Sequence, residues 1–486
     1  MLPDDVLLEI FDFHVDEARY ADDDEDENGK KAMKAWQSLV HVCRRWRSVV
    51  FGSPRRLNLR LVCSPSTPAG DMVDVWPALP LVIQDRGYGR RGSVDNIVAL
   101  LERSDLVRRI IKINLWYVSS WQLDDILEAM QVPFPELTHL DLHHYDKTKP
   151  VHPLSDSFLG GSAPRLRSLW LYGIPYPGLP KLLLSATHLS HLTDLHYDRI
   201  PHSGWISPEA MVVCLSTLTS LEGLSLGFES PWSRPVWERR VPPPMTRTVL
   251  PVLDSFWFNG VCEYLEDLVA RIDAPRLESM DITFFNDIVF DTPQLTRFIS
   301  LTPMLEAFDV ANVTLSYDTA SVTLSPAYED SDKSLEVSIS CPELDWQLSF
   351  LEQVCTSFLP SLSTLEDLYM EGYPGPQDWK DNIDYAQWLE LLHSFTAVKN
   401  LYLSKELTPS VVPALQDLVG GRTTEVFPNL QNIFLEELQE SGPVQEGIGK
   451  FVASRQVTSH PITVSRWDRR YSDSDSDSAA LSEVDF

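Results

Sequence analysis

The feature that most constrains this chain is a six-residue phrase, Leu-x-x-Leu-x-Leu, that returns at intervals of roughly thirty residues. Its clearest copies are Leu137-Thr-His-Leu140-Asp-Leu142, Leu166-Arg-Ser-Leu169-Trp-Leu171, Leu192-Thr-Asp-Leu195-His-Tyr197 and Leu221-Glu-Gly-Leu224-Ser-Leu226. Apolar character is kept while leucine drifts in Leu253-Asp-Ser-Phe256-Trp-Phe258, Leu277-Glu-Ser-Met280-Asp-Ile282 and Leu305-Glu-Ala-Phe308-Asp-Val310. The series closes with Leu365-Glu-Asp-Leu368-Tyr-Met370, Val398-Lys-Asn-Leu401-Tyr-Leu403 and Leu430-Gln-Asn-Ile433-Phe-Leu435, and Ile110-Ile-Lys-Ile113-Asn-Leu115 opens it. One interval, Leu305 to Leu365, is twice the others; a degenerate strand, Leu335-Glu-Val337-Ser-Ile339, falls midway and preserves the period.

Within each copy the second and third apolar positions are two apart, so a strand places both on one face and the residue between them on the other. Helix-compatible apolar stretches separate the copies, as in Trp121 to Met130, Ser207 to Leu215, Tyr264 to Arg271, Tyr385 to Phe395 and Val411 to Val419. A strand-helix unit of this size cannot bury its own apolar face; stacked neighbours bury it as one continuous core. Over about residues 106–440 the pattern resembles the leucine-rich repeat family, which implies an α/β solenoid with a curved parallel sheet and outer helices. It departs from the family in lacking a regular Asn after the third apolar position. An ordinary α/β domain with amphipathic strands is the alternative, and ten like-spaced copies of one phrase weigh against it.

Length agrees with an elongated stack, because 486 residues exceed what a single core accommodates. Apolar residues at 43% and 14 Trp supply enough to bury throughout. The formal charge of -30 repels phosphate backbones and anionic lipid, so neither nucleic acid nor membrane is an expected partner. The start, Met1-Leu2-Pro3-Asp4-Asp5, has no basic flank or long apolar run, and no later stretch is apolar enough to span a bilayer; a cytoplasmic and/or nuclear protein is expected. Cys43, Cys63, Cys214, Cys262, Cys341 and Cys355 are scattered without zinc-ligand spacing, as expected of reduced thiols that are mostly buried.

Residues 1–52 do not follow the repeat. Pro3, Asp4 and Asp5 signal a helix start, and Val6, Leu7, Ile10 and Phe11 give it an apolar face. A second segment, about Lys34 to Phe51, sets Trp36, Leu39, Val40, Cys43, Trp46 and Val50 along one stripe at helical spacing. An acidic insert between them, Asp16 to Lys31 with Asp22-Asp-Asp-Glu-Asp-Glu27, is expected to be a solvated loop. The phrases Leu2-Pro3-Asp-Asp-Val6-Leu7-Leu8-Glu9-Ile10-Phe11 and Leu39-Val40-His-Val42-Cys43-Arg44-Arg45-Trp46 resemble an F-box. The resemblance implies docking on a Skp-type adaptor, and through it on a cullin and a RING subunit of a ubiquitin ligase. By matching positions, Leu2, Pro3, Ile10, Leu39, Val42, Cys43 and Trp46 would contact the adaptor or shape that surface. The other reading makes these helices only a cap over the first repeat of a scaffold protein.

The residues between the last two apolar positions of the copies run Asp141, Trp170, His196, Ser225, Trp257, Asp281, Asp309, Tyr369, Tyr402 and Phe434, and strand geometry turns them toward the concave face. Trp170, Trp257, Tyr369, Tyr402 and Phe434 are the expected client-binding residues, since aromatics dominate binding hot spots. Rings on adjacent strands also stack on one another, so the two uses stand side by side. Glu371 and Glu436 near the last three rings favour a basic, apolar target. The Pro-rich stretch Pro231 to Pro251, with Trp232, Trp237, Arg239 and Arg240, and the segment Gly372 to Asp381, with Trp379, are recognition loops by position.

Enzymatic signatures are missing. His139, Asp141 and His143 share one strand face, but no fourth ligand accompanies them, and solvated polar residues are the expectation. Gly442 to Lys450 fails as a phosphate loop because Val444 stands where the first Gly belongs. No cofactor and no catalysis are expected. The domain plan is therefore a helical module (1–52), a linker or capping region with Arg86, Arg90 and Arg91 (53–105), the repeats (106–440), a C-terminal cap (441–470) and an acidic Ser/Asp tail (471–486). In that tail Ser472 and Ser474 each precede an Asp by three residues, the spacing acid-directed kinases use.

Overall fold

The computed structural model describes residues 2–19, 25–64, 73–85, 94–116, 118–145, 152–185, 191–231, 246–285, 292–305, 308–327, 333–359, 362–373, 385–416, 418, 425–437 and 442–467. Contacts divide the chain into two units, Met1–Leu277 and Glu278–Phe486.

The first unit opens with helices α1 (Asp4–Arg19), α2 (Glu25–Val42) and α3 (Arg44–Gly52). Leu7, Leu8, Phe11 and Val15 of α1 are buried with Trp36, Val40 and Val50 of the other two, and the Phe11 and Trp46 rings meet at 4.8 Å. Two expectations change. The acidic segment 16–31 is helical at both ends, because α1 runs on to Arg19 and α2 begins at Glu25. The second segment is two helices: Cys43 is extended, and its Sγ accepts the Trp46 N–H at 3.5 Å, capping α3 and breaking the run.

Strands β1 (Leu61–Cys63), β2 (Leu81–Asp85), β3 (Ile110–Leu115), β4 (His139–His143), β5 (Ser168–Tyr172), β6 (Asp194–Ile200), β7 (Gly223–Phe228) and, after the short β8 (Thr248–Val249), β9 (Ser255–Gly260) follow. The long strands pair parallel in the order β1-β2-β3-β4-β5-β6-β7-β9. β8 pairs instead with β10 (Ile272–Asp273). The register is that of the repeat: Ile113, Leu140, Leu169, Leu195, Leu224 and Phe256 align across the sheet, and all are buried. Leu115, Leu142, Leu171, Tyr197, Leu226 and Phe258 form a second buried row, and Leu137, Leu166, Leu192, Leu221 and Leu253, each just before its strand, are buried as well. Helices α4 (Asp95–Leu101), α5 (Ser104–Val107), α6 (Ser120–Ala129), α7 (Leu179–Ser185), α8 (Pro208–Leu215) and α9 (Cys262–Val269) occupy the connections, several contributing apolar side chains such as Leu123, Ile126, Met211 and Leu265 to the core. This is the strand-helix alternation of a leucine-rich repeat. β1 and β2 extend it into the stretch expected as a linker.

Tight backbone approach fixes some turns. Gly173 has φ 69°, and a Cβ there would lie 2.4 Å from the His144 carbonyl oxygen, so no side chain fits where β5 ends.

The second unit contains β11 (Ser279–Phe285), α10 (Pro293–Ser300), β12 (Val310–Leu315), β13 (Thr319–Ser325), β14 (Ser334–Ser340), α11 (Leu344–Gln353), β15 (Asp367–Gly372), α12 (Tyr385–His393), β16 (Asn400–Leu403), α13 (Thr408–Gln416), β17 (Asn432–Leu435), α14 (Pro443–Val457) and β18 (Thr463–Arg466). Strand order here is β11-β14-β13-β12-β15-β16-β17-β18. The double interval thus holds a reversal: β13 runs antiparallel to both β12 and β14. Only Ser316, Tyr317 and Asp318 separate β12 from β13, whereas a parallel crossover needs about a dozen residues, so the chain turns back on itself. β14 then runs parallel to β11.

The hairpin also moves the register of one copy. Val310 pairs with Asp367 and Asn312 with Tyr369, so Ala311 and Val313 are the inward pair and Asn312 takes the face position expected for Asp309. Asp309 is exposed and precedes the strand. Pairing of Ala311, Val313 and Leu315 with the buried Leu324, Val322 and Ala320 fixes that parity.

Candidate interaction surfaces

On α1 the apolar residues divide between two faces. Leu7, Leu8, Phe11 and Val15 face the module's interior, but Leu2 (51% exposed), Val6 (41%), Ile10 (49%) and Phe13 (71%) lie four, four and three apart on a single outward stripe. Arg45 donates to Asp4 Oδ1 at 2.6 Å and to the Leu2 carbonyl, which brings the α2-α3 junction, with Val42 (59% exposed) and exposed Cys43, to the start of that stripe. Of the residues expected at an adaptor surface, Leu2, Pro3, Ile10, Val42 and Cys43 are thus exposed, Trp46 is half-buried against Phe11, and Leu39 belongs to the core. The sequence reading missed Val6 as a surface residue and omitted Phe13, although both share the helical spacing of Leu2 and Ile10.

In the first unit the face positions align as Gln84, Asn114, Asp141, Trp170, His196, Ser225 and Trp257. This face is not uniformly open: Gln84, Asn114, Asp141 and Ser225 are buried. Trp116 and His143 cover Asp141; the indole N–H donates to its Oδ2 at 2.9 Å, and His143 Nε2 lies 2.6 Å from its Oδ1. The Trp116, His143 and Tyr172 rings stack in turn at 4.4 and 5.2 Å, with the Arg199 guanidinium 5.5 Å from the Tyr172 centroid. Trp170 stacks on His196 at 3.8 Å and remains 36% exposed. Trp257 is half-buried and leans on Gly227, where a Cβ would come 2.8 Å from its ring. Tyr172 and Trp116, missed in the sequence, sit two residues from positions already singled out.

Within this cluster burial raises the Asp198 carboxyl to about 6; the Ser225 hydroxyl, donating at 2.6 Å, and nearby His143 oppose the rise. An unfolded carboxylate titrates near pH ~4. The folded state therefore holds this proton more tightly, and stability contributed by the group is present below pH ~4 and lost as pH rises through about 6. Asp198→Asn keeps the acceptor for Ser225. It is expected to stabilise the chain by about 1–2 kcal/mol at neutral pH, with the gain vanishing below pH ~4 in urea unfolding. A gain that persists at low pH would remove the titration as its cause.

In the second unit Tyr369, Tyr402 and Phe434 occupy successive face positions and form a column, with centroids 4.1 and 4.5 Å apart and planes within 8°. Trp467 stands edge-on beside it, 5.7 Å from Tyr369 and 5.6 Å from Tyr402. A polar ladder runs alongside: Asn400 Nδ2 donates to Asp367 Oδ1 at 2.6 Å, Asn432 Nδ2 to Asn400 Oδ1 at 2.7 Å, and the Thr463 hydroxyl to Asn432 Oδ1. All four rings remain half-buried, with part of each surface toward solvent. Stacking and an accessible aromatic surface therefore coexist. Trp467 had no sequence signal, because it follows the last copy of the phrase.

Among the described residues no group of three or more His, Cys, Asp or Glu could hold a metal ion, and no helix is long and apolar enough to cross a membrane. The loop residues Trp232, Trp237, Arg239, Arg240 and Trp379, with Arg86, Arg90, Arg91, Asp22 and the tail residues Ser472 and Ser474, lie outside the described residues.

No family model and no curated protein matches this chain. Among solved structures it is similar to TLR13 in its complex with ssRNA13, at TM-score 0.34 and 12% identity over 83% of this chain; it spans about half of that chain's length, 48%. It is similar to the leucine-rich repeat-containing protein LegL7 from Legionella pneumophila, at TM-score 0.28 and 14% identity over 81% of this chain and 97% of that one. It is also similar to the yeast Rad7 and Elc1 complex, at TM-score 0.27 and 13% identity over 94% and 99%. The repeat assignment rests on the strand register, not on these overlaps.

Proposed function

We propose that this chain is a recognition protein that docks a Skp-type adaptor through its N-terminal helices and holds a client protein on the aromatic face of its repeats. Joined through the adaptor to a cullin and a RING subunit, it would present that client for ubiquitylation. The observation that carries the reading is the outward stripe of Leu2, Val6, Ile10 and Phe13. A module that only capped the solenoid would put its apolar residues against the first strand and keep a polar outer face. This module does pack on that strand, since Met33 Sδ accepts the Val62 N–H at 3.3 Å, yet it also leaves a second apolar face uncovered. The F-box resemblance gives that face a partner class.

Capping favours a second reading, a leucine-rich repeat scaffold without a ligase. Co-expression of the intact chain with a Skp-type adaptor separates the two. A stoichiometric complex on size-exclusion chromatography is expected; a chain that elutes alone at every concentration supports the scaffold.

A further inference from the structure

On the helical side of the first unit, α4, α5 and α6 line a groove of about 930 Å³. Its volume is at the top of the roughly 300–1,000 Å³ range for ligand sites, more than one side chain fills. The floor is apolar: Val98, Leu101, Val107 and Ala129 line it, with Val132 and Pro133 as one wall. That wall is set rigidly, because Gly160, at φ 58°, packs its backbone so closely that a Cβ would lie 2.5 Å from the Pro133 nitrogen. Val132 is 41% exposed, and Trp121, on the same face of α6 as Asp125 and Glu128, is 57% exposed.

The rim is mostly acidic. Among the described residues, Glu102, Asp125 and Glu128 line it with one cation, Arg108. Neighbouring Arg103 does not offset them, since it pairs with Asp74 and Asp105 at 3.1 Å each. An apolar floor between carboxylates matches a segment with an apolar stripe between basic flanks, which an amphipathic helix provides in a short length. We infer that this groove docks a basic amphipathic helix of a partner protein, with its apolar residues on Val98, Ala129 and Val132 and its Lys or Arg residues on Glu102, Asp125 and Glu128. A chain of net charge -30 also draws such a partner in by long-range attraction.

Because that net charge attracts any cation, the test separates shape from charge. Fluorescence anisotropy with the full chain would compare a labelled Leu/Lys amphipathic helical peptide, its scrambled isomer of equal charge and its Leu/Glu counterpart. The Leu/Lys peptide is expected to bind saturably and the other two at least about tenfold more weakly. Glu102→Lys/Glu128→Lys and, independently, the groove-filling Ala129→Trp should each weaken it about tenfold, while the equal charge change Glu222→Lys/Asp254→Lys at exposed sites elsewhere should leave it nearly unchanged. Thermal unfolding confirms that each variant is folded. Equal binding of the scrambled peptide, equal loss in the control variant, insensitivity to both groove variants, or no binding at all would overturn the assignment.

Discussion

Ile10→Asp/Phe13→Asp is expected to abolish adaptor capture while leaving the unfolding temperature of the chain almost unchanged. Both side chains are substantially exposed, at 49% and 71%, so folding gains little from them. Their replacement costs only a few tenths of a kcal/mol each in helix propensity. Burial of each against a partner is worth about 1.5–3 kcal/mol, so losing both weakens association by roughly two to four orders of magnitude, before adding the cost of burying carboxylates. Leu39 and Trp46 would be poorer probes. Leu39 is in the module core and Trp46 packs on Phe11, so changes there damage fold and surface together. Isothermal titration of the purified variant against the adaptor, beside a thermal melt, gives the answer. Undiminished affinity would mean that the stripe is not the docking face.

The second large effect is expected at Arg455. Its side chain is fully buried on α14, and Nη2 donates to the carbonyls of Phe427, Pro428 and Leu430 at 3.2, 3.4 and 3.3 Å. Burial lowers its pKa. These carbonyls converge because Phe427 is in the left-handed region at φ 50°, a strained position for a side chain with a Cβ. Arg455 Nη2 therefore ties α14 to the turn that launches β17. Arg455→Ala should destabilise the second unit by ~3 kcal/mol through unsatisfied carbonyls and a cavity. Arg455→Lys should recover little, because the lysine stem is one bond shorter, so its ammonium stops short of the Nη2 position, and a compact, strongly hydrated charge is costlier to bury. Urea unfolding measures both. A change within about 0.5 kcal/mol would show the buried cation to be dispensable.

Much of this was readable from one sequence. The phrase fixes which residues point inward wherever a strand stays in register, because the two-residue period leaves only two choices and apolar character selects one. Leu140, Leu169, Leu224, Leu368 and Leu401 are buried for that reason. The same logic gave α1 one apolar face of Val6, Leu7, Ile10 and Phe11, of which only Leu7 and Phe11 turn inward, whereas Val6 and Ile10 join Leu2 and Phe13 on the outside.

Periodicity says which side a residue takes, but not what lies across from it, and there the tertiary structure decided. Strand neighbours depend on connection length, so the three-residue turn after Leu315 reversed β13, displaced Asp309 from the face and substituted Asn312. Asp141 is buried because Trp116 and His143 fold over it, and Asp198 is half-buried beside Ser225 by neighbours on other strands. Trp467 joins the column of Tyr369, Tyr402 and Phe434 only because β18 adds to β17. Local pattern sets the face of each element. Burial and contact on that face are sums over partners distant in the chain, which only the folded arrangement supplies.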